Sequence, residues 1–292
     1  MSLNGSGTKR LIVNADDFGW SHGITDGIVE AHRRGIVTST SLMVNRPASE
    51  YALDRMKSLP NLSVGVHLTL CDGLPVLPGD QVPTLVTQEG AFYSADQVTK
   101  KLRKQQLSPR EIEAEFRAQI QWMKRRSVMP THADSHQHVH FYPSAIQAFR
   151  RAVKAEGIGR VRAACSKYFP RDRRIGGPYA GHAYRRVLVS AYNCYVQKIL
   201  LRALRLPDAS FTAHPKFRGD VSLLEEGWKS GLASLTPGTY ELGCHPGLHE
   251  SGFSERDSIR DRREVELRVL TEPSYKDLIE RNNIRLISYA EL

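Results

Sequence analysis

The feature that most constrains this chain is the alternation of short, β-branched apolar runs with longer segments of helical period. "RLIVNAD" precedes "GITDGIVEAHRRG", in which Ile24, Ile28 and Val29 recur at helical spacing before Gly35 stops the pattern. "VTSTSLMVN" and "NLSVGVHLTL" follow as strands two and three, separated by the helical "ASEYALDRMKSL". "THADSH", "RVRAAC", "ASFTAH", "GTYELGCHPG" and "IRLISY" complete the strand series, with helices predicted from Pro143 to Glu156, around Val187 to Leu206, in "VSLLEEGWKSGLASL" and from about Ser258. Such alternation predicts an α/β fold with a parallel sheet, either closed as a barrel or open and doubly wound.

At 292 residues the chain has the length of one (β/α) barrel, so a single domain over 10–292 is expected, behind a flexible tail over 1–9. The segment from Cys71 to about Leu107 is rich in proline and glycine and too long for an ordinary connection. It reads as an insertion that reaches the substrate, and a second insertion is expected over 165–207. "SPREIEAEFRAQIQWMKRR" is a helix with Ser108 as its cap, Pro109 in its first turn and an apolar face of Ile112, Phe116, Ile120 and Met123.

No run approaches the roughly 18 apolar residues that cross a bilayer, and no apolar leader opens the chain, so a cytoplasmic protein without a transmembrane segment is expected. The cysteines at 71, 165, 194 and 244 have no metal-ribbon or disulfide spacing. A net charge of +10 raises the question of nucleic acid, but the basic residues are dispersed among acids on helix faces, which argues against that partner.

The chemistry-bearing residues gather at the carboxyl ends of predicted strands. Asp16 and Asp17 follow the first strand, His67 ends the third, Asp134 and His136 end the fourth, and His245 ends the seventh. Parallel strands deliver their last residues to one rim, which is where barrel enzymes build active sites. If "DSHQHVH" stays extended, His136, His138 and His140 face the same side with Asp134. Carboxylate oxygen and neutral imidazole together suit a divalent ion that keeps open positions for water and substrate.

"IVNADDFG", "GIVTSTSLMVN", "GVHLTL", "THADSHQHVH" and "ELGCHPG", in that order over about residues 10 to 250, resemble the YdjC-like carbohydrate deacetylases, including the chitooligosaccharide and hopanoid-associated branches. The resemblance implies a TIM-barrel-like (β/α) barrel of about seven units, similar to the polysaccharide deacetylases. It implies one divalent metal, magnesium with zinc as the alternative, held by Asp17, His67 and His136. Asp16 would then be the catalytic base and His245 the acid for the leaving amine, while Asp134, His138 and His140 would orient ligands or contact sugar. An N-acetylated sugar is the implied substrate and a homodimer the implied assembly. Both aspartates reach one site only if the chain turns at once, which Gly19 permits.

Two rivals stand beside this reading. A metal-dependent phosphoesterase would use the same rim, but its usual two metals need more carboxylates than these motifs supply. A carbohydrate-binding protein with a degenerate site would not need Asp17, His67 and His136 together. The Asp-Phe-Gly of residues 17–19 is no kinase motif, because no Gly-rich loop, strand lysine or His-Arg-Asp loop precedes it.

Overall fold

The first strand lies at the centre of the sheet and decides where the site forms. The computed structural model describes residues 7–163, 191–192, 195–211, 221–250 and 259–292. Within them β1 (Lys9–Phe18) is buried continuously from Leu11 onward, with none of the alternation of a half-exposed strand. A parallel sheet covered on both faces requires such a run.

β1 pairs in parallel with β2 (Ser39–Leu42) on one side and β6 (Gly238–Cys244) on the other. Beyond these lie β3 (Ser63–Leu68), β4 (Ala133–Ser135) and β5 (Ala209–Phe211), giving the order β4-β3-β2-β1-β6-β5, while β7 (Ile284–Leu286) also pairs with the start of β1. The sheet is entirely parallel, so its carboxyl-terminal ends form one rim.

Among the described residues the ladders form this open, curled path rather than a continuous ring of seven units. The expected fifth strand, "RVRAAC", contributes isolated parallel bridges instead, Val161 to Ala133 of β4 and Arg160 to Arg205. Those bridges carry the segment across the gap between β4 and β5 and turn Arg162 into the interior.

Helices cover the outer face. In α1 (His22–Arg34) the Ser21 hydroxyl accepts from the Ile24 N–H, and His32, Arg33 and Arg34 place basic groups at the negative end of the helix. α2 (Ser49–Met56) follows β2. α4 (Pro109–Lys124) buries Ile112, Phe116, Ile120 and Met123 as its period predicts, and Phe116 meets Phe149 of α5 (Ile146–Ala155) edge to face at 6.3 Å between centroids. Ser108 makes no side-chain cap; its N–H instead donates to Thr84 Oγ1, so the helix start serves to hold the preceding loop. α6 (Val221–Ala233), α7 (Arg260–Thr271) and α8 (Pro273–Arg281) complete the set, and none of the described helices is long and apolar enough to cross a membrane.

The stretch from Cys71 to Leu107 is more ordered than its composition suggests. It contains α3 (Ala95–Arg103), started by a reciprocal capping box between Ser94 and Gln97, and an antiparallel bridge between Val86 and Phe92. α4 fastens it: the Glu115 carboxylate accepts from the N–H groups of Val76 and Leu77 at 2.9 and 3.0 Å, and Glu111 accepts from the Thr84 N–H and hydroxyl. The insertion expected over 165–207 lies largely outside the described residues, as does most of the N-terminal tail.

Candidate active site

Two adjacent strand residues should face opposite ways, yet Asp16 and Asp17 both reach the interior. The β1–β2 register accounts for this. Asn14 faces Ser39 and Ala15 faces Thr40, but Phe18 faces Leu42, so β1 carries an extra residue across this step. Asp17 itself takes the left-handed conformation, φ 71°, and Gly19 follows at φ 86°. The turn expected at Gly19 thus begins two residues earlier, in a bulge that delivers both carboxylates to the rim.

Asp17 Oδ1 lies 3.1 Å from His136 Nδ1 and 3.5 Å from His67 Nε2, and one donor atom from each of the three falls within 4.8 Å of the others. His67 turns its other nitrogen to Asp134 Oδ1 at 2.7 Å, which fixes the ring and leaves Nε2 facing Asp17. Burial alone would lower the His67 pKa, but Asp134 and the neighbouring aspartates outweigh it and raise it to about 10. Burial likewise would raise Asp17, but Arg263 and His136 hold its carboxyl well below the usual range.

Two other donor groupings compete and fit less well. Asp16, His67 and Asp134 also lie within 4.8 Å, but both Asp16 oxygens are engaged by Arg162, and Asp134 is engaged by His67, Ser41 and Arg162. Cys71, Asp72 and His136 form the third, in which burial pushes the Cys71 thiol up to about 12 and so keeps it protonated. Asp17, His67 and His136 alone combine a shared focus with exposure to a cavity of about 720 Å³.

That cavity is also lined by Asp16, Trp20, His245 and Arg263, and on its far side by Phe92 and Gln97 of the insertion. Trp20 packs against His136 at 5.1 Å between centroids with the Arg46 guanidinium 4.3 Å over its ring.

Beneath the cavity floor lies a polar layer that sequence reasoning did not find. Arg162 donates to both oxygens of Asp16 at 2.7 and 2.6 Å, and also meets Asp134 at 2.9 Å and Glu241 at 2.8 Å. Glu241 passes the contact on by accepting from the Tyr289 hydroxyl at 2.8 Å. Burial alone would raise Asp16, but Arg162 holds it below the ordinary carboxylate value, so it stays ionised. Neither Arg162 nor Arg263 has a local sequence signal among 41 lysines and arginines.

The histidines expected to alternate do not share a face. His136–Phe141 forms 3-10 turns in which Gln137 and His138 are left-handed, φ 54° and 52°. His136 joins the site and His138 stays exposed at the cavity edge. His140 turns away into the core, bonded to Ser135 Oγ and tilted against Phe141 and Phe149. His245 is brought to the site: its Nε2 lies 3.7 Å from Asp16 Oδ2, and its Nδ1 has no hydrogen-bond partner among the described residues. Burial lowers its pKa against the pull of Asp16, Glu266 and Asp17.

Residues 10–281 match the model of the family described as YdjC-like protein. This chain belongs to that family. A carbohydrate deacetylase of Brevibacillus brevis is 32% identical over 97% of this chain and 99% of its own length. One of Halalkalibacterium halodurans is 46% identical over 50% of this chain and 60% of its own. A crystal structure from Enterococcus faecalis V583, described provisionally as a cellobiose-phosphate cleavage protein, superposes on the YdjC-like chain with a TM-score of 0.80 at 26% identity, covering 97% of this chain and 98% of that one.

Proposed function

We infer that this chain is a metal-dependent carbohydrate N-deacetylase, hydrolysing the acetamide of an amino sugar in the cavity above Asp17. The observation that carries the reading is the focus of Asp17, His67 and His136 on one point of that cavity, with Asp134 behind His67. Relatives named carbohydrate deacetylase support the substrate class. A carboxylate and two imidazoles make a donor set suited to a divalent ion with open positions, zinc more readily than magnesium. When bound, such an ion would polarise the acetyl carbonyl and lower the pKa of water.

The remaining chemistry belongs to the chain. Asp16, kept ionised by Arg162, accepts the proton of the attacking water. His245 is held neutral by burial and so has no proton to give until it receives one. Its Nε2 stands 3.7 Å from Asp16 Oδ2, so the proton taken from water passes from Asp16 to His245 and on to the departing amine. Trp20 lines the cavity and backs His136, and the volume of about 720 Å³ suits a ligand of one or two sugar rings. A two-metal phosphoesterase is the weaker reading, because the other carboxylates of the site are tied to Arg162.

Acetate release from N-acetylglucosamine oligomers tests this directly. Activity should require a divalent ion and vanish with chelator. Asp16→Asn should lose about 10²- to 10⁴-fold in kcat while still taking up metal. Metal-replete protein that releases no acetate from any N-acetylated sugar would remove the reading.

A further inference from the structure

The geometry points to Arg263 as a positioning residue that confines Asp17 to a single coordinating oxygen and so biases the site toward ions satisfied by few protein donors. The inference rests on the metal reading above. It concerns a residue of α7, far in sequence from every motif of the site.

The Asp17 carboxylate is divided between two tasks. Oδ1 faces His136 Nδ1 and His67 Nε2 at 3.1 and 3.5 Å, while Oδ2 accepts from Arg263 Nη2 at 2.7 Å. A carboxylate with both oxygens free can offer both to one ion, as calcium-type sites require. One whose second oxygen is held by a guanidinium offers the other alone, and an arginine does not give up the bond by deprotonating. Both side chains are largely buried, so solvent screens the pair only weakly.

Other parts of the fold hold the guanidinium at that depth. The Arg263 stem lies against Gly247, where an added Cβ would stand 3.1 Å from Arg263 Cδ and 3.3 Å from its Cβ. The Gly247 N–H donates to the Arg263 carbonyl at 3.3 Å. Gly247 in turn presses on Gly27 of α1, where a Cβ would fall 2.5 Å from the Gly247 Cα. The Trp20 ring lies 5.9 Å from the Arg263 Cζ. The glycine of "CHPG", which the chemistry does not use, thus gains a purpose: it leaves room for an arginine stem that reaches the metal ligand.

With Asp17 giving one oxygen, the protein supplies one oxygen and two nitrogens to an ion. Four- and five-coordinate ions of zinc type accept that set readily, and ions that prefer six or more oxygens are disfavoured. Releasing Oδ2 would narrow the difference.

The test is calorimetric titration of chelator-stripped protein with Zn²⁺ and, separately, Mn²⁺. Arg263→Gln is expected to shrink the Zn²⁺-over-Mn²⁺ affinity ratio by about ten-fold or more, whereas Arg263→Lys, which keeps a cationic donor, stays nearer the wild-type ratio. Should Arg263→Gln fail to fold, as judged by circular dichroism, Gly247→Ala supplies the reading, with a shift in the same direction and of smaller size. A folded variant with the wild-type ratio, or with equal loss for both ions, overturns the assignment of Arg263. Wild-type protein that binds neither ion overturns the metal reading itself.

Discussion

Arg162→Met offers the sharpest test of how the cavity floor is held. In the native protein one buried guanidinium faces the carboxylates of Asp16, Asp134 and Glu241. Methionine fills much of the same volume but leaves those carboxylates side by side without a counter-charge. Breaking one buried pair in this way costs about 3–5 kcal/mol, which for a domain of this size corresponds to a fall of roughly 5–8 °C in Tm. The pH dependence should also change sign. In the native protein Arg162 holds Asp16 and Asp134 below their unfolded value of 3.8, so their contribution is present above that value and is lost as pH falls through the acid range. Without the arginine, burial raises the same carboxyls above their unfolded values, so the folded state binds more protons and stability falls as pH rises. Chelator-treated Arg162→Met should therefore lose more Tm relative to the native protein near pH 7.5 than near pH 5 by calorimetry, a comparison in which the titration of the buried histidines common to both largely cancels. A variant melting within about 2 °C of the native protein at both pH values would refute the reasoning.

Two further outcomes test features that carry the site. Gly65→Ala would set a Cβ 2.4 Å from a ring carbon of His132, which Tyr289 holds by stacking at 3.8 Å, and should cost about 1–3 kcal/mol by urea denaturation. Adding His132→Ala should recover part of that loss, and no recovery would point to a different cause. Glu115→Ala deprives the Val76 and Leu77 N–H groups of their acceptor, at about 1–3 kcal/mol locally. Hydrogen exchange at those two amides should speed up and KM should rise more than kcat falls; unchanged exchange would show that the carboxylate does not anchor the loop.

Much of the site was legible because strand ends are local features. Asp17 and His67 are each the last residue but one of a strand and His136 directly follows another, and a parallel sheet sends such ends to one rim without any knowledge of long-range pairing. The alternation assumed for His136, His138 and His140 failed because Gln137 and His138 take left-handed turns, which residue type alone does not announce. The capping box at Ser94 and Gln97 was readable and marks the helix that composition obscured. Arg162 and Arg263 were hidden for a different reason. Their partners stand 146 and 246 residues away, and no local pattern separates a buried arginine from the many at the surface. The barrel of about seven units was implied by the family resemblance, alternation alone leaving an open sheet equally allowed, and the fifth segment contributes isolated bridges among the described residues.

The attachment of the insertion bears on how this scaffold could acquire new preferences. Glu115 and Glu111 grip Val76, Leu77 and Thr84 by their main-chain N–H groups, which every residue but proline possesses. That part of the grip does not depend on which side chains the loop carries, although the Thr84 hydroxyl adds to it. Substitutions at Thr87, Glu89 and Ala91, which line the cavity outside the packed core, can alter its wall while the grip from α4 keeps its place. A library confined to these positions varies one wall of the cavity while leaving Asp17, His67 and His136 on the opposite elements untouched, which makes it a direct probe of the proposed substrate choice.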